Sequence, residues 1–235
     1  MRSDFVDAYI NLGDVLIKQG KLKQAIQIYK KGIQSSENVN SKTADLYFNL
    51  GVAYSIMIKN HTIKNDSIKN DSIKNEDNQD NFKLIAEYFV NATTINPFHK
   101  ESLVNLAILI QRNNDLLKHL KESLIEKMKN YSGSDQQIVL FNLALLLADQ
   151  DDNKQAVYYL KQAIQIENNF SSAIFNLAVI LIEEKRFVEA EQYLHELLAH
   201  HSNHTKGLML LGNLYFSQLN YIRAEEVSQL INCNF

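Results

Sequence analysis

The stretch Ser172-Ala173-Ile174-Phe175-Asn176-Leu177-Ala178 decides the fold, because its closing phrase recurs along the chain. Asn-Leu followed by Gly or Ala stands at Asn11-Leu12-Gly13, Asn49-Leu50-Gly51, Asn105-Leu106-Ala107 and Asn142-Leu143-Ala144, with a copy lacking the Asn at Leu210-Leu211-Gly212. The six Leu residues are spaced by 38, 56, 37, 34 and 34. Thirteen residues after the Leu a small residue returns at Ala25, Ala156, Ala190 and Ala224, and seven later another at Gly32 and Ala163. In the second copy the matching region is Tyr88-Phe89-Val90-Asn91-Ala92, closed by Pro97.

A period near 34 marks an array of repeated supersecondary units. Tyr9, Leu12 and Leu16 fall at i, i+3 and i+7, one face of an α-helix. Gly13 or Ala107 on that helix, and the small residues on the next, allow two helices to approach closely. Neither helix can hide its apolar stripe alone, so each pair packs on the next. The pattern resembles the tetratricopeptide repeat, a helix–turn–helix unit, and predicts an all-α solenoid of antiparallel helix pairs winding into a right-handed superhelix. One solenoid is expected over residues 1–235, with repeats at about 6–39, 44–97, 98–133, 137–169, 171–203 and 205–235.

Composition agrees. The 235 residues include one Pro, seven Gly and no Trp, so backbone breakers are few and helices are favoured over sandwiches and barrels. A single cysteine, Cys233, excludes an internal disulfide framework and cysteine-rich zinc modules. The net charge of −3 and a pI near 6.2 give no electrostatic footprint for nucleic acid. No apolar run approaches the length of a membrane span. Met1-Arg2-Ser3-Asp4 runs directly into a helical pattern, so no signal peptide is expected at this start.

Three departures from regularity stand out. The second repeat is split by an insertion at about 58–80 built on Ser-Ile-Lys-Asn-Asp at a period of five, from Ile63 to Asn75. Such Asn- and Asp-rich chain buries too little to order itself and is expected to be a flexible loop between a helix ending near Met57 and one starting near Phe82. Lengthening a turn this way costs only about 2 kcal/mol of closure entropy. The third repeat keeps an apolar stripe from Leu116 to Met128 but lacks the small residues. The sixth is expected to stop after about two turns of its second helix with no polar cap, as if the chain were a fragment or its end met a partner.

The row of Asn residues is the leading site candidate. Equivalent register places Asn11, Asn49, Asn105, Asn142 and Asn176 on one face. Helices about 8–10 Å apart and an extended chain rising about 3.3 Å per residue would set one Asn against every third residue of a bound strand. An amide offers two donors and one acceptor, so it can pair with a peptide group without reading sequence. The preceding residues are apolar: Ile10, Phe48, Val104, Phe141 and Phe175. Asn11, Asn49, Asn105, Asn142 and Asn176, with Phe48, Phe141 and Phe175, are therefore the expected peptide-binding residues; the alternative is that the Asn residues serve helix–helix hydrogen bonds inside the stack. The basic carboxylate clamp of co-chaperone repeats is not expected, since Ile10 and Asp14 flank the first Asn.

Other candidates carry less chemistry. His195, His200, His201 and His204 cluster at a helix end and turn, but with only Glu196 as a nearby carboxylate they make no metal shell, and no metal is expected. Asp151-Asp152 falls in a turn, where acidic residues are ordinary. No phosphate loop or Ser/His/Asp arrangement appears, so no catalytic residue is expected. Seven Asn-x-Ser/Thr sequons occur, at Asn60, Asn65, Asn70, Asn91, Asn130, Asn169 and Asn203, a pattern compatible with lumenal exposure.

Several phrases go beyond generic repeat consensus: Ala8-Tyr9-Ile10-Asn11-Leu12-Gly13-Asp14, Ala44 to Leu50, His99 to Ala107, Ser172 to Ala178, and the turn His204-Thr205-Lys206-Gly207-Leu208. They resemble the C-terminal repeat region of the transmembrane and tetratricopeptide-repeat-containing protein O-mannosyltransferases, which modify cadherins. The resemblance covers most of the chain outside the insertion. It implies the lumenal part of an endoplasmic reticulum membrane enzyme that moves mannose from dolichyl-phosphate mannose to Ser or Thr of cadherin-type acceptors. The family's acidic catalytic residues lie in a membrane-embedded N-terminal half, so the resemblance carries no catalytic residue or cofactor onto this segment, and it implies a membrane link only through that missing part. The insertion and the missing C-terminal repeats depart from the family pattern. The alternative is a freestanding cytosolic scaffold or adaptor with no enzymatic activity.

Overall fold

Each Asn-Leu-small phrase lies within a helix, and an antiparallel partner follows after a short turn. The computed structural model describes residues 4–36, 39–65 and 74–233. They are helical throughout, with no strand among them. Two compact units divide the chain at Gly133, the expected end of the third repeat. Each unit holds three of the expected repeats.

In the first unit, α1 (Asp4–Lys18) pairs with α2 (Leu22–Ser35) and α3 (Ser41–Asn65) with α4 (Lys74–Ile95). The third repeat pairs α5 (Lys100–Arg112) with α6 (Asn114–Leu117), a 3-10 turn (Lys118–Leu120) and α7 (Lys121–Lys129). The second unit pairs α8 (Gln136–Ala148) with α9 (Asn153–Ile166), α10 (Ser171–Glu183) with α11 (Phe187–His200), and α12 (Thr205–Ser217) with α13 (Tyr221–Cys233).

The small positions do what their size demands. A Cβ placed on Gly13 would fall on the Tyr29 ring, and one on Gly51 would lie 2.7 Å from Phe89. Ala144 and Ala178 hold the same place in the second unit, where the second-helix residues sixteen further on are the smaller Leu160 and Leu194. Glycine thus faces an aromatic ring in the first unit, and alanine stands sixteen residues before a leucine in the second. Leu50, Leu106, Leu143, Leu177 and Leu211 are buried, as the repeat requires. Leu12 is instead about half exposed, because no described helix precedes α1 to cover that side.

The turns within the first, fourth, fifth and sixth repeats share one geometry. Gly20, Asp151, Lys185 and Leu219 all take left-handed backbone, with φ between 59° and 73°. At each, the residue's own N–H donates three residues back and the next N–H donates five residues back: Gly20 to Ile17 (2.9 Å) and Lys21 to Leu16 (2.9 Å), and likewise Leu219 to Phe216 (3.0 Å) and Asn220 to Tyr215 (2.9 Å). This is the Schellman closure of a helix. It explains the acidic pair: Asp151 occupies the left-handed position, and Asp152 caps α9 by accepting from the Gln155 N–H at 3.1 Å.

Three expectations need correction. Residues 66–73 of the insertion lie outside the described residues, but α3 runs on past Met57 to Asn65 and α4 starts at Lys74 rather than near Phe82, because once a helix is nucleated each added residue gains a backbone hydrogen bond. The second half of the third repeat is not one helix from Leu116 to Met128. Asn113 both ends α5 and starts α6, and regular helix resumes only at Lys121, because no small residue there lets a long helix lie against α5. The sixth repeat's second helix spans 13 residues rather than two turns.

Two substitutions test these accounts. Gly13→Ala is expected to lower stability by about 1–3 kcal/mol through overpacking against Tyr29, and Tyr29→Leu added to it should recover part of the loss; urea unfolding of the single and double variants measures both. Leu219→Gly should raise stability by about 1 kcal/mol by relieving a left-handed leucine, read as a higher melting temperature.

Candidate functional site

The five Asn residues all sit within first helices, but their surroundings differ. Asn11 is exposed, Asn49, Asn105 and Asn176 are half-buried, and Asn142 is only 6% exposed. Asn105, Asn142 and Asn176 each donate from Nδ2 to the carbonyl one turn back in the same helix: Glu101 at 2.7 Å, Ile138 at 2.8 Å and Ser172 at 2.8 Å. These bonds stay within the helix, so the helix–helix role weighed for them is not what their Nδ2 groups do. An amide held this way has one N–H and the Oδ1 acceptor still to offer. In the first unit the row runs through Asn11, Asn49 and Asn105, and in the second through Asn142 and Asn176.

The three Phe residues beside the row have a second task. Phe48 packs at a tilt against His99 at 5.3 Å and Phe89 at 5.9 Å, Phe141 against Phe170 at 5.3 Å, and Phe175 against His204 at 5.6 Å between ring centroids. His99, Phe170 and His204 are the N-cap residues of α5, α10 and α12. Each Phe therefore pins the start of the next repeat, and its ring is half-buried there. The motif signal was present in the sequence as an aromatic or His at the residue opening a repeat.

Two of those caps are imidazoles. His99 Nδ1 accepts from the Ser102 N–H at 3.2 Å while Nε2 lies 3.0 Å from Asp45 Oδ1. The pair of contacts fits the tautomer that donates from Nε2 to the carboxylate and accepts at Nδ1. His204 Nδ1 accepts from the Gly207 N–H at 2.9 Å. Two others of the His cluster are engaged separately: His195 Nε2 lies 3.0 Å from Tyr215 Oη, and His201 Nε2 lies 3.1 Å from the Asn169 carbonyl. Among the described residues no group of three or more His, Cys, Asp or Glu could hold a metal ion.

Two further features escaped the sequence reading. A cavity of about 640 Å³ in the second unit is walled by Leu198, Leu208, Leu211 and Val227, with Tyr215 and Arg223 at its polar side. There Tyr215 donates to Glu191 at 2.8 Å, Arg223 donates to the same oxygen at 3.0 Å, and burial followed by the Glu191 bond pushes the Tyr215 phenol up. In the first unit Tyr54 stacks on Tyr88 at 5.6 Å, Lys30 lies 5.6 Å above Tyr54, and burial pushes the Tyr88 phenol up to about 12. Neither had a spacing signal, since each joins residues from three helices.

The paired helices, small contact positions and Schellman turns carry the repeat identity, and comparison with known proteins agrees. The profile described as Tetratricopeptide repeat matches residues 147–227, and that described as TPR repeat matches residues 13–55. The chain is a tetratricopeptide-repeat protein. Protein O-mannosyl-transferase TMTC3 of Homo sapiens is 30% identical over 176 residues, and that of Mus musculus 32% identical over 169. These alignments cover 74% and 71% of this chain. Over about three quarters of its length the chain is thus similar to part of these mannosyltransferases, the family that the sequence phrases resemble. The matched region spans only 16% and 15% of those relatives. Among solved structures, the type IV pilus biogenesis factor PilW superposes with a TM-score of 0.69 at 15% identity, covering 100% of this chain and 95% of its own. Pseudomonas aeruginosa PilF superposes at 0.66 and 18%, covering 99% of this chain and 92% of its own. They share the repeat solenoid fold. No helix among the described residues is long and apolar enough to cross a membrane.

The N-cap account predicts a measurable loss. His99→Ala should destabilise the protein by about 1–2 kcal/mol by freeing the Ser102 N–H, with a further loss from the Phe48 stack. His99→Asn, which keeps a capping acceptor, should recover the first part only, as read from melting temperatures.

Proposed function

We propose that this tetratricopeptide module is the lumenal, polypeptide-binding part of an endoplasmic reticulum protein O-mannosyltransferase. It holds an acceptor chain while mannose passes from dolichyl-phosphate mannose to a Ser or Thr hydroxyl of a cadherin-type domain, with dolichyl phosphate leaving. The transfer chemistry belongs to other parts of the full-length protein. The observation that carries this reading is the identity of about 30% to the human and mouse O-mannosyltransferases over more than two thirds of the chain.

The amide row supplies the mechanism of holding. Asn11, Asn49 and Asn105 in one unit, and Asn142 and Asn176 in the other, would offer acceptor and donor groups at repeat intervals, beside the half-buried rings of Phe48, Phe141 and Phe175. Each net hydrogen bond contributes about 0.5–1.5 kcal/mol, so within each unit affinity accumulates along an extended strand without strict sequence preference. The back-bonds on Asn105 and Asn176 fix those amides before a ligand arrives, which lowers the ordering cost on binding.

The test changes Asn11, Asn49, Asn105, Asn142 and Asn176 together to Ala in the full-length product, with circular dichroism confirming that the helices remain. Mannose incorporation into a cadherin domain should fall at least tenfold, the effect of losing about 1.4 kcal/mol. Transfer at the wild-type rate would overturn the amide row as the acceptor-holding surface.

A further inference from the structure

The sequons at Asn65 and Asn70 reach outside the described residues, and among the others burial sets one in α4 apart from two in turns. In Asn91-Ala92-Thr93 all three residues lie inside α4, and Thr93 is 0% exposed. Its hydroxyl donates to the Val90 carbonyl at 3.0 Å and accepts from Lys127 Nζ at 3.0 Å. Asn169-Phe170-Ser171 and Asn203-His204-Thr205 are placed quite differently. In each, the Asn lies in the turn before a first helix, the middle residue is the N-cap, and the Ser or Thr is the first helical residue. The middle ring points inward onto Phe141 or Phe175. The flanking side chains are thereby turned the other way: Asn169, Asn203 and Thr205 are exposed, and Ser171 is half-exposed. The stacking that joins one repeat to the next also presents the two reactive members of the sequon to solvent.

We propose that Asn169 and Asn203 are N-glycan acceptor sites. This rests on the lumenal placement proposed above. A lipid-pyrophosphate-linked oligosaccharide is the donor. A bond forms between Asn Nδ2 and the anomeric carbon, the bond from that carbon to the pyrophosphate oxygen breaks, the lipid pyrophosphate leaves, and Nδ2 gives up one proton. The Ser171 or Thr205 hydroxyl is the second group the transfer machinery must reach, and both are reachable here, whereas that of Thr93 is not. Asn130-Tyr131-Ser132 shows the same inward aromatic, with Tyr131 on Phe98 at 6.2 Å. Its amide, however, donates to both the Glu126 carbonyl and the Glu126 carboxylate at 3.0 Å, so its nitrogen is already committed.

The experiment uses the full chain with a secretory leader added, expressed in cultured animal cells, with Asn60, Asn65, Asn70, Asn91 and Asn130 changed to Gln. Two discrete mobility steps removed by peptide N-glycosidase are expected. One should disappear with Asn169→Gln or Ser171→Ala, the other with Asn203→Gln or Thr205→Ala. Loss through the hydroxyl variants separates modification from a merely structural role, because they leave the Asn in place. Absence of either step overturns the proposal for that site. Restoring Asn91 should add no third step; a step from Asn91 would overturn the argument from hydroxyl burial. A second arm digests the natural product from the cells that make it. Two steps in the leader-bearing chain and none in the natural product would overturn the lumenal reading while leaving the acceptor geometry standing.

Discussion

The close approach of two helices within each repeat is the constraint on which everything else rests. Gly13 and Gly51 admit an aromatic ring against the backbone of the opposing helix. With any larger residue the pair would splay, and the apolar stripe would no longer be covered by its own partner. The same argument explains why the third repeat is irregular. It has Ala107 on its first helix but no matching small residues on its second strand of helix. There the chain breaks into α6, a 3-10 turn and α7, and a lysine stem, Lys127, fills the junction by reaching Thr93 at 3.0 Å. Burial lowers the readiness of that ammonium to stay charged.

Contact within a repeat does not by itself hold one repeat to the next. At the starts of α5, α10 and α12 the residue opening the helix adds to the helix packing between repeats. His99, Phe170 and His204 combine two functions at one position: they start a helix, and their rings lie on a Phe of the preceding first helix. An imidazole does both better than a Phe, since its Nδ1 also accepts an orphan N–H of the new helix. His99 adds a third link through Asp45 in the preceding repeat. A junction built this way is directional, which is why the side chains on either side of the ring are forced outward.

Much of this was legible in the chain. The 34-residue spacing placed five of the six Leu residues in buried positions, and the small residues marked the helix contacts. What was not legible has physical causes. Asp151, Lys185 and Leu219 occupy left-handed turns with no glycine to announce them; the Schellman bonds and the packing of the flanking helices outweigh a local preference of about 1–2 kcal/mol. The insertion's composition argued against order, yet α3 and α4 extend to Asn65 and from Lys74, since helix extension depends on backbone bonds more than on burial. The Tyr215–Glu191–Arg223 group joins residues up to 32 apart on α11, α12 and α13, and no local pattern records such a meeting.

The Asn row shows where reading a residue type stops and reading its geometry begins. Asn in mid-helix is a weak helix former because its side chain competes for backbone groups. At Asn105, Asn142 and Asn176 that competition is resolved in favour of the helix: the amide bonds the carbonyl one turn back and leaves the backbone ladder in place. The side chain is then locked with Oδ1 away from that carbonyl. A locked acceptor is worth more to an incoming peptide N–H than a free one, because no rotamer freedom is lost on binding. The same bond that makes Asn tolerable inside the helix therefore prepares it to act outside it. Asn142, nearly closed off by its neighbours, would contribute least, and Asn105 and Asn176 most. On the proposed reading, structural and binding roles would be successive uses of one side chain, divided between its two hydrogens and its oxygen.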